Sequence, residues 1–217
     1  MTLFSSMRLP EHNDAAPMMD RRCVRPALCG LFLLLASMSV AAEAPSWRIE
    51  RGDLSILVPL KPGGAFTATT PSLSGTLTLE QPKPSRLGGE ISTDLATIDT
   101  GIALRNQHLR EKYLEVAKGK GFDKAVLSEI QLNDAGGEAF EGRTAFTGML
   151  LLHGVKHPVE GTAEVRREGA GRRVRAEFPL LVTDFGITPP EYLGVGVASK
   201  LLVKVQFTAT PARETAK

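Results

Sequence analysis

Apolar and polar residues alternate with a period of two over most of the chain that follows Trp47. In Leu54-Ser55-Ile56-Leu57-Val58-Pro59-Leu60 the even positions are apolar. In Leu201-Leu202-Val203-Lys204-Val205-Gln206-Phe207 the odd positions are apolar, with Lys204 and Gln206 between them. Successive side chains of an extended strand point to opposite faces, so each segment has one face for a core and one for water. The same pattern, with lapses, recurs at residues 66–70, 74–79, 90–95, 125–132, 144–152, 159–165 and 173–182. It predicts antiparallel strands rather than the unbroken apolar runs of a buried parallel sheet.

Turn chemistry separates these segments. Lys61-Pro62-Gly63-Gly64, Gln81-Pro82-Lys83-Pro84-Ser85, Asp134-Ala135-Gly136-Gly137 and Glu168-Gly169-Ala170-Gly171 each fall between two alternating stretches. Glycine supplies positive φ and proline cannot continue a ladder of hydrogen bonds. Roughly eight or nine strands result, and a sheet of that size with one apolar face must close into a barrel or fold over into a sandwich. One segment departs from the pattern. Over residues 104–118, strong helix formers place Leu104, His108 or Leu109, Lys112 or Tyr113, and Val116 or Ala117 near one face, which predicts a short amphipathic helix stopped by Gly119-Lys120-Gly121. Residues 210–217 read as a frayed tail.

The N-terminal region has a different composition. Arg21, Arg22 and Arg25 precede an apolar run from Ala27 to Val40, followed by small residues that suit signal-peptidase cleavage after Ala42 or Ala44. Residues 1–42 are therefore expected to be a signal peptide, with Met18 and Met19 as alternative starts, and residues 43–217 a single domain in the periplasm. The run is shorter than the about 20 apolar residues a membrane-spanning helix needs. About 175 residues remain after cleavage, enough for one substantial core. Both cysteines, Cys23 and Cys29, fall in the leader, so the domain must hold together without disulfides. The 26 Lys and Arg nearly balance the 24 Asp and Glu, which argues against a nucleic-acid partner.

Motifs for chemistry are sparse. No nucleophile elbow, Walker loop or His-Glu-x-x-His is present, and Gly194-Val195-Gly196 precedes a strand-like segment rather than the helix of a dinucleotide loop. His153 and His157 are four residues apart, but Gly154 and Pro158 argue against a helix, and an extended strand would separate them by roughly 13 Å. No metal or catalytic residue is assigned. A spatial triad remains open, because triads are not contiguous in sequence. Arg166, Arg167, Arg172, Arg173 and Arg175 flank a Gly-rich turn, either as a solvated hairpin end or as a contact for anionic lipid headgroups.

Five segments taken together carry a resemblance. Thr97-Ile98-Asp99-Thr100-Gly101, Arg105-Asn106-Gln107-His108-Leu109, Phe140-Glu141-Gly142, the stretch from Gly148 through His153-Gly154-Val155-Lys156-His157-Pro158-Val159, and Thr183-Asp184-Phe185-Gly186-Ile187 resemble the YceI-like family in order and spacing. That resemblance implies an all-β, lipocalin-like antiparallel barrel of about eight strands, with one short helix after the Asp99-Thr100-Gly101 turn. Gly154 and Pro158 would bracket a hairpin, and Phe185-Gly186-Ile187 would turn the chain near a barrel end. The sequence departs from the family pattern at Asn106, where an aspartate is common, and at Lys118-Gly119-Lys120-Gly121. The Thr188-Pro189-Pro190-Glu191-Tyr192 insertion is expected to reshape the entrance.

The resemblance also implies a non-enzymatic lipid-binding protein that sequesters or transports a polyisoprenoid or isoprenoid-quinone-like amphiphile, held non-covalently and without a further cofactor. The inward positions Leu54, Ile56, Val58, Phe66, Leu95, Leu150, Leu152, Phe178, Leu180, Val203, Val205 and Phe207 are the candidate ligand-binding residues, with Asp99, His108 and His153 as polar contacts at a cavity mouth. Aromatic residues make up only 6% of the chain, and smaller side chains leave room inside a barrel that is otherwise just wide enough to fill itself. Two other readings stand beside this one: a hydrolase acting on such a lipid with His153 or His108 as base, and an interaction module of a membrane redox system. The sequence leaves transient membrane contact and the oligomeric state open, a homodimer included.

Overall fold

Strand alternation becomes a closed sheet. The computed structural model describes residues 44–80, 83, 85–133 and 139–212. The expected leader lies outside them, as do Gln81, Pro82, Pro84 and the Asp134-Ala135-Gly136-Gly137 turn. In chain order the elements are β1 (Ser46–Lys61), β2 (Ala65–Thr70), β3 (Ser74–Leu79), β4 (Arg86–Asp94), α1 (Ala103–His108), β5 (Lys124–Leu132), β6 (Gly142–Leu152), β7 (Val155–Glu168), β8 (Gly171–Leu181), β9 (Glu191–Tyr192), β10 (Val195–Val197) and β11 (Lys200–Pro211). Strands β3 to β8 pair in sequence order, β8 pairs with β11, and β11 returns to β1, which closes an antiparallel barrel of eight positions. Closure removes the exposed edges that an open sheet would carry.

β1 is the longest strand because it serves two neighbours along the same edge. Residues Ser46–Ile49 pair with β3, and Leu54–Pro59 pair with β2. Between them the register with β11 shifts from Ile49 to Gly52. A Cβ on Gly52 would lie 2.7 Å from the Phe207 Cβ and 2.9 Å from the Gln206 carbonyl oxygen, so only glycine lets the strand bend this closely over β11. The free edge of β2 is closed by Asp99, which exchanges two backbone hydrogen bonds with Thr69, at 2.8 and 2.9 Å.

Three expectations are corrected. The helix predicted over 104–118 is three pieces: α1, a five-residue turn of π-helix over Leu109–Tyr113, and a turn of 3-10 helix over Val116–Lys118. The wide turn, in which the Leu114 N–H donates to Leu109, advances the buried face by one residue, so that Leu109, Tyr113 and Leu114 all pack on the barrel. Glu115 at φ 50° then breaks the helix. Pro158 does not bracket the hairpin but sits inside β7 opposite Met149, while His153 and Gly154, both at positive φ, form the turn. Residues 210 and 211 are not frayed, since Thr210 and Pro211 pair with Arg48 and Trp47 in β11.

The interior has two regions. At one end Ile49, Leu73, Leu77, Ile91, Ile130, Phe207 and Ala209 pack into a solid plug. At the other, the walls of β1, β2, β6, β8 and β11 surround an open space. Leu54, Leu127, Leu132 and Val205 pack against both regions and mark the boundary.

Candidate functional site: an apolar cavity open at one barrel end

The open end of the barrel holds a cavity of about 540 Å³, within the range of small-molecule sites. Its wall is built by the alternation read in the sequence. Leu54, Ile56, Val58 and Leu60 face inward from β1, and they span roughly 20 Å of strand. Phe66 and Ala68 from β2, Leu150 and Leu152 from β6, Phe178 and Leu180 from β8, and Leu201 and Val203 from β11 complete it, with Leu95 at the end of β4. Phe178 stacks edge to face on Phe146 at 6.1 Å.

The structure brings ten of the twelve apolar candidates onto this cavity. Val205 and Phe207 are the exceptions. Val205 sits at the boundary and Phe207 in the plug, because alternation assigns a residue to the inner face but not to a height along the barrel axis. Residues the pattern did not single out also line the space: Ile98, Ile102, Leu104, Leu109 and Leu114 from the helical segment, and Val182, Ile187, Pro189 and Pro190 from the connection between β8 and β9. The diproline insertion does border the cavity. A signal for the others existed only in the helical spacing around Leu104 and Leu109.

Polar groups in the lining are few: Thr93, Thr100, Arg105, His108 and Tyr113. The two threonine hydroxyls are occupied, Thr93 with Ser72 at 2.9 Å and Thr100 with Asn106 Oδ1 at 2.6 Å. The Arg105 guanidinium lies 4.0 Å over the Phe66 ring, a cation-π arrangement. His108 is on the cavity, as expected of a mouth residue, whereas Asp99 and His153 are not in its lining.

Asp99 and His153 instead fasten the helical segment to the barrel at its two ends. Asp99 Oδ1 accepts from Asn106 Nδ2 at 2.7 Å and from the Gly101 N–H at 2.8 Å. The Asn106 bond, then the Gly101 bond and the charge of Arg110, hold the Asp99 carboxyl below its ordinary value. Gly101, at φ 78°, makes the turn that leads into α1. At the other end His153 Nδ1 donates to the Phe185 carbonyl at 3.0 Å, Nε2 lies 3.0 Å from Glu115 Oε2, and the ring meets Phe122 edge to face at 4.9 Å.

The basic hairpin between β7 and β8 lies at the plugged end, away from the cavity. Three of its five arginines are matched with carboxylates: Arg166 with Glu164, Arg167 with Glu141, and Arg173 with Glu168. Arg175 donates to Gln206. Among the described residues no cluster of three or more His, Cys, Asp or Glu is placed to hold a metal.

A YceI-like domain profile matches residues 57–209, from Leu57 in β1 to Ala209 in β11. The chain belongs to the YceI-like family. It is 31% identical over 127 residues to the proteins called YceI of Salmonella arizonae and Salmonella newport; the match takes in 55% of this chain and spans 62% of the length of those relatives. Two solved structures share the fold. BcnA of Burkholderia cenocepacia superposes with a TM-score of 0.61 at 18% identity, covering 73% of this chain and 96% of that one. A polyisoprenoid binding domain from Saccharophagus degradans, implicated in plant cell wall breakdown, gives 0.58 at 17% identity, covering 78% and 99%. The YceI-like barrel reaches this chain with its helical segment and its diproline insertion both placed on the cavity.

Proposed function

We propose that this YceI-like protein binds a polyisoprenoid or isoprenoid-quinone-like amphiphile in its barrel and sequesters or carries it, without catalysis, in the periplasm after removal of an N-terminal signal peptide. The observation that carries the reading is the cavity itself, lined almost throughout by aliphatic side chains, with a packed apolar cluster at the other end of the barrel. The polyisoprenoid binding domain of Saccharophagus degradans, which shares the fold, supports the choice of ligand class.

Apolar burial supplies enough driving force. Each buried methylene is worth about 0.8 kcal/mol, so some ten of them correspond to roughly 8 kcal/mol, the micromolar range, before the cost of ordering the chain. A branched hydrocarbon therefore needs no charged anchor. The two histidines first considered as bases have different settings: His153 has both ring nitrogens engaged, and His108 faces the apolar space.

The test is organic extraction of the purified protein with mass spectrometry of the extract, followed by titration of the emptied protein with a polyprenol. Near-stoichiometric uptake is expected. Repeated recovery of no apolar ligand, together with no uptake of added polyprenol, overturns the proposal. Osmotic-shock fractionation of the producing cells tests the location, and retention in the cytoplasmic fraction refutes it.

A further inference from the structure

The large apolar side chains exposed on the described residues are not scattered. The four most exposed are Leu193 at 85%, Leu104 at 61%, Val195 at 59% and Ile102 at 49%, and none of the other three exceeds 40%. All four belong to the two segments that border the cavity mouth. Ile102 and Leu104 line the cavity and face solvent at once. Leu193 and Val195 sit on the β9–β10 hairpin, at whose base Pro189, Pro190 and Val197 line the same cavity. Single exposed leucines are ordinary, but a set gathered around one opening marks a contact surface.

The geometry points to the cavity mouth as a docking surface for a lipid bilayer, entered by Leu104 and Leu193. Two features select a bilayer over a folded partner. Ile102 and Leu104 carry the apolar lining out to solvent, so a hydrocarbon chain passes between bilayer and barrel along them, beside the half-buried Arg105 and His108. Exposed cations also flank the hairpin: Lys61 pairs in register with Gly196, and Lys200 follows Val197 by three residues at the start of β11. Apolar tips beside cations suit a surface with anionic headgroups over a hydrocarbon interior. Docking at this end also relocates the membrane contact considered for the arginine hairpin at the plugged end, where Arg166, Arg167 and Arg173 are paired with glutamates.

This inference concerns delivery and adds to the carrier reading, and its test reads membrane binding separately from ligand binding. The purified protein is sedimented with vesicles of phosphatidylethanolamine and phosphatidylglycerol at about 7:3, and with vesicles of phosphatidylcholine alone. The wild type is expected to pellet with the anionic vesicles, less so as salt is raised. The double variant Leu193→Ser, Val195→Ser, whose side chains lie outside the cavity lining, is expected to lose bound fraction by about fivefold or more, with an unchanged near-UV circular dichroism spectrum and unchanged polyprenol uptake from detergent. A control pair at the plugged end, Arg166→Gln with Arg173→Gln, is expected to pellet as the wild type does. Equal pelleting of the mouth variant and the wild type overturns the docking surface. So does concentration-dependent dimerisation in analytical ultracentrifugation that the mouth variant abolishes, because the patch then belongs to a second copy of the chain. Loss of polyprenol uptake in the wild type itself would sink the carrier reading and leave the membrane result to stand or fall alone.

Discussion

His153 and Glu115, 38 residues apart, meet at 3.0 Å across the gap between the helical segment and the β6–β7 turn. Both adopt positive φ, 51° and 50°, so each closes a turn and joins the other. The second ring nitrogen of His153 faces the Phe185 carbonyl. A carbonyl and a carboxylate only accept, so the imidazole satisfies both when both of its nitrogens carry protons.

Glu115 lies below its ordinary carboxylate value, chiefly through the Lys118 hydrogen bond, with His153 contributing less. A lowered carboxylate stabilises the fold above its unfolded value, and that contribution is lost as pH falls through the lowered folded value. The hydrogen-exchange protection factors of residues 109–118 are therefore expected to fall below the usual carboxylate range while those of the β-ladder hold. Lys118→Ala should raise the Glu115 titration, followed by NMR, further than His153→Ala does. The opposite order would contradict this assignment of causes.

Asn106 ties the entry to α1. Its Oδ1 accepts from both the Thr100 N–H, at 2.8 Å, and the Thr100 hydroxyl, and its Nδ2 donates to Asp99. Asn106→Ala leaves the buried Thr100 without these partners, at an expected cost of about 1–3 kcal/mol in urea unfolding. The Asp99 titration should rise toward its ordinary value, since Asn106 is the largest cause of its depression. An unmoved Asp99 titration would show that the turn is held by other contacts.

Ala68 is a small side chain on the cavity wall, 3% exposed. Ala68→Phe places a ring in the open space. Polyprenol affinity is expected to fall about tenfold or more, while the melting temperature stays within about 4 °C of the wild type. Undiminished affinity would mean that the chain lies elsewhere.

Phe207 supports the plug, not the cavity. Phe207→Ala is expected to cost about 3–5 kcal/mol of stability and, below its new unfolding transition, to leave polyprenol affinity unchanged. A selective loss of affinity in a variant that stays folded would put the ligand deeper than the Leu54 level.

Which residues face inward is legible in the alternation alone. Alternation depends on the two-residue repeat of an extended backbone, a local property, so Leu54, Ile56, Val58, Leu150, Leu152 and Leu180 were assigned to the inner face without coordinates. The height of each inner residue along the barrel axis is set by contacts between strands. Val203 on the cavity and Phe207 in the plug look alike in the pattern of β11, and strand register and the bend at Gly52 separate them. The helical segment follows the same division. Its composition announces a helix, but its breaks at Leu114 and Glu115 arise from packing on the barrel and from the pairing with His153, contacts between residues distant in sequence that no local propensity encodes.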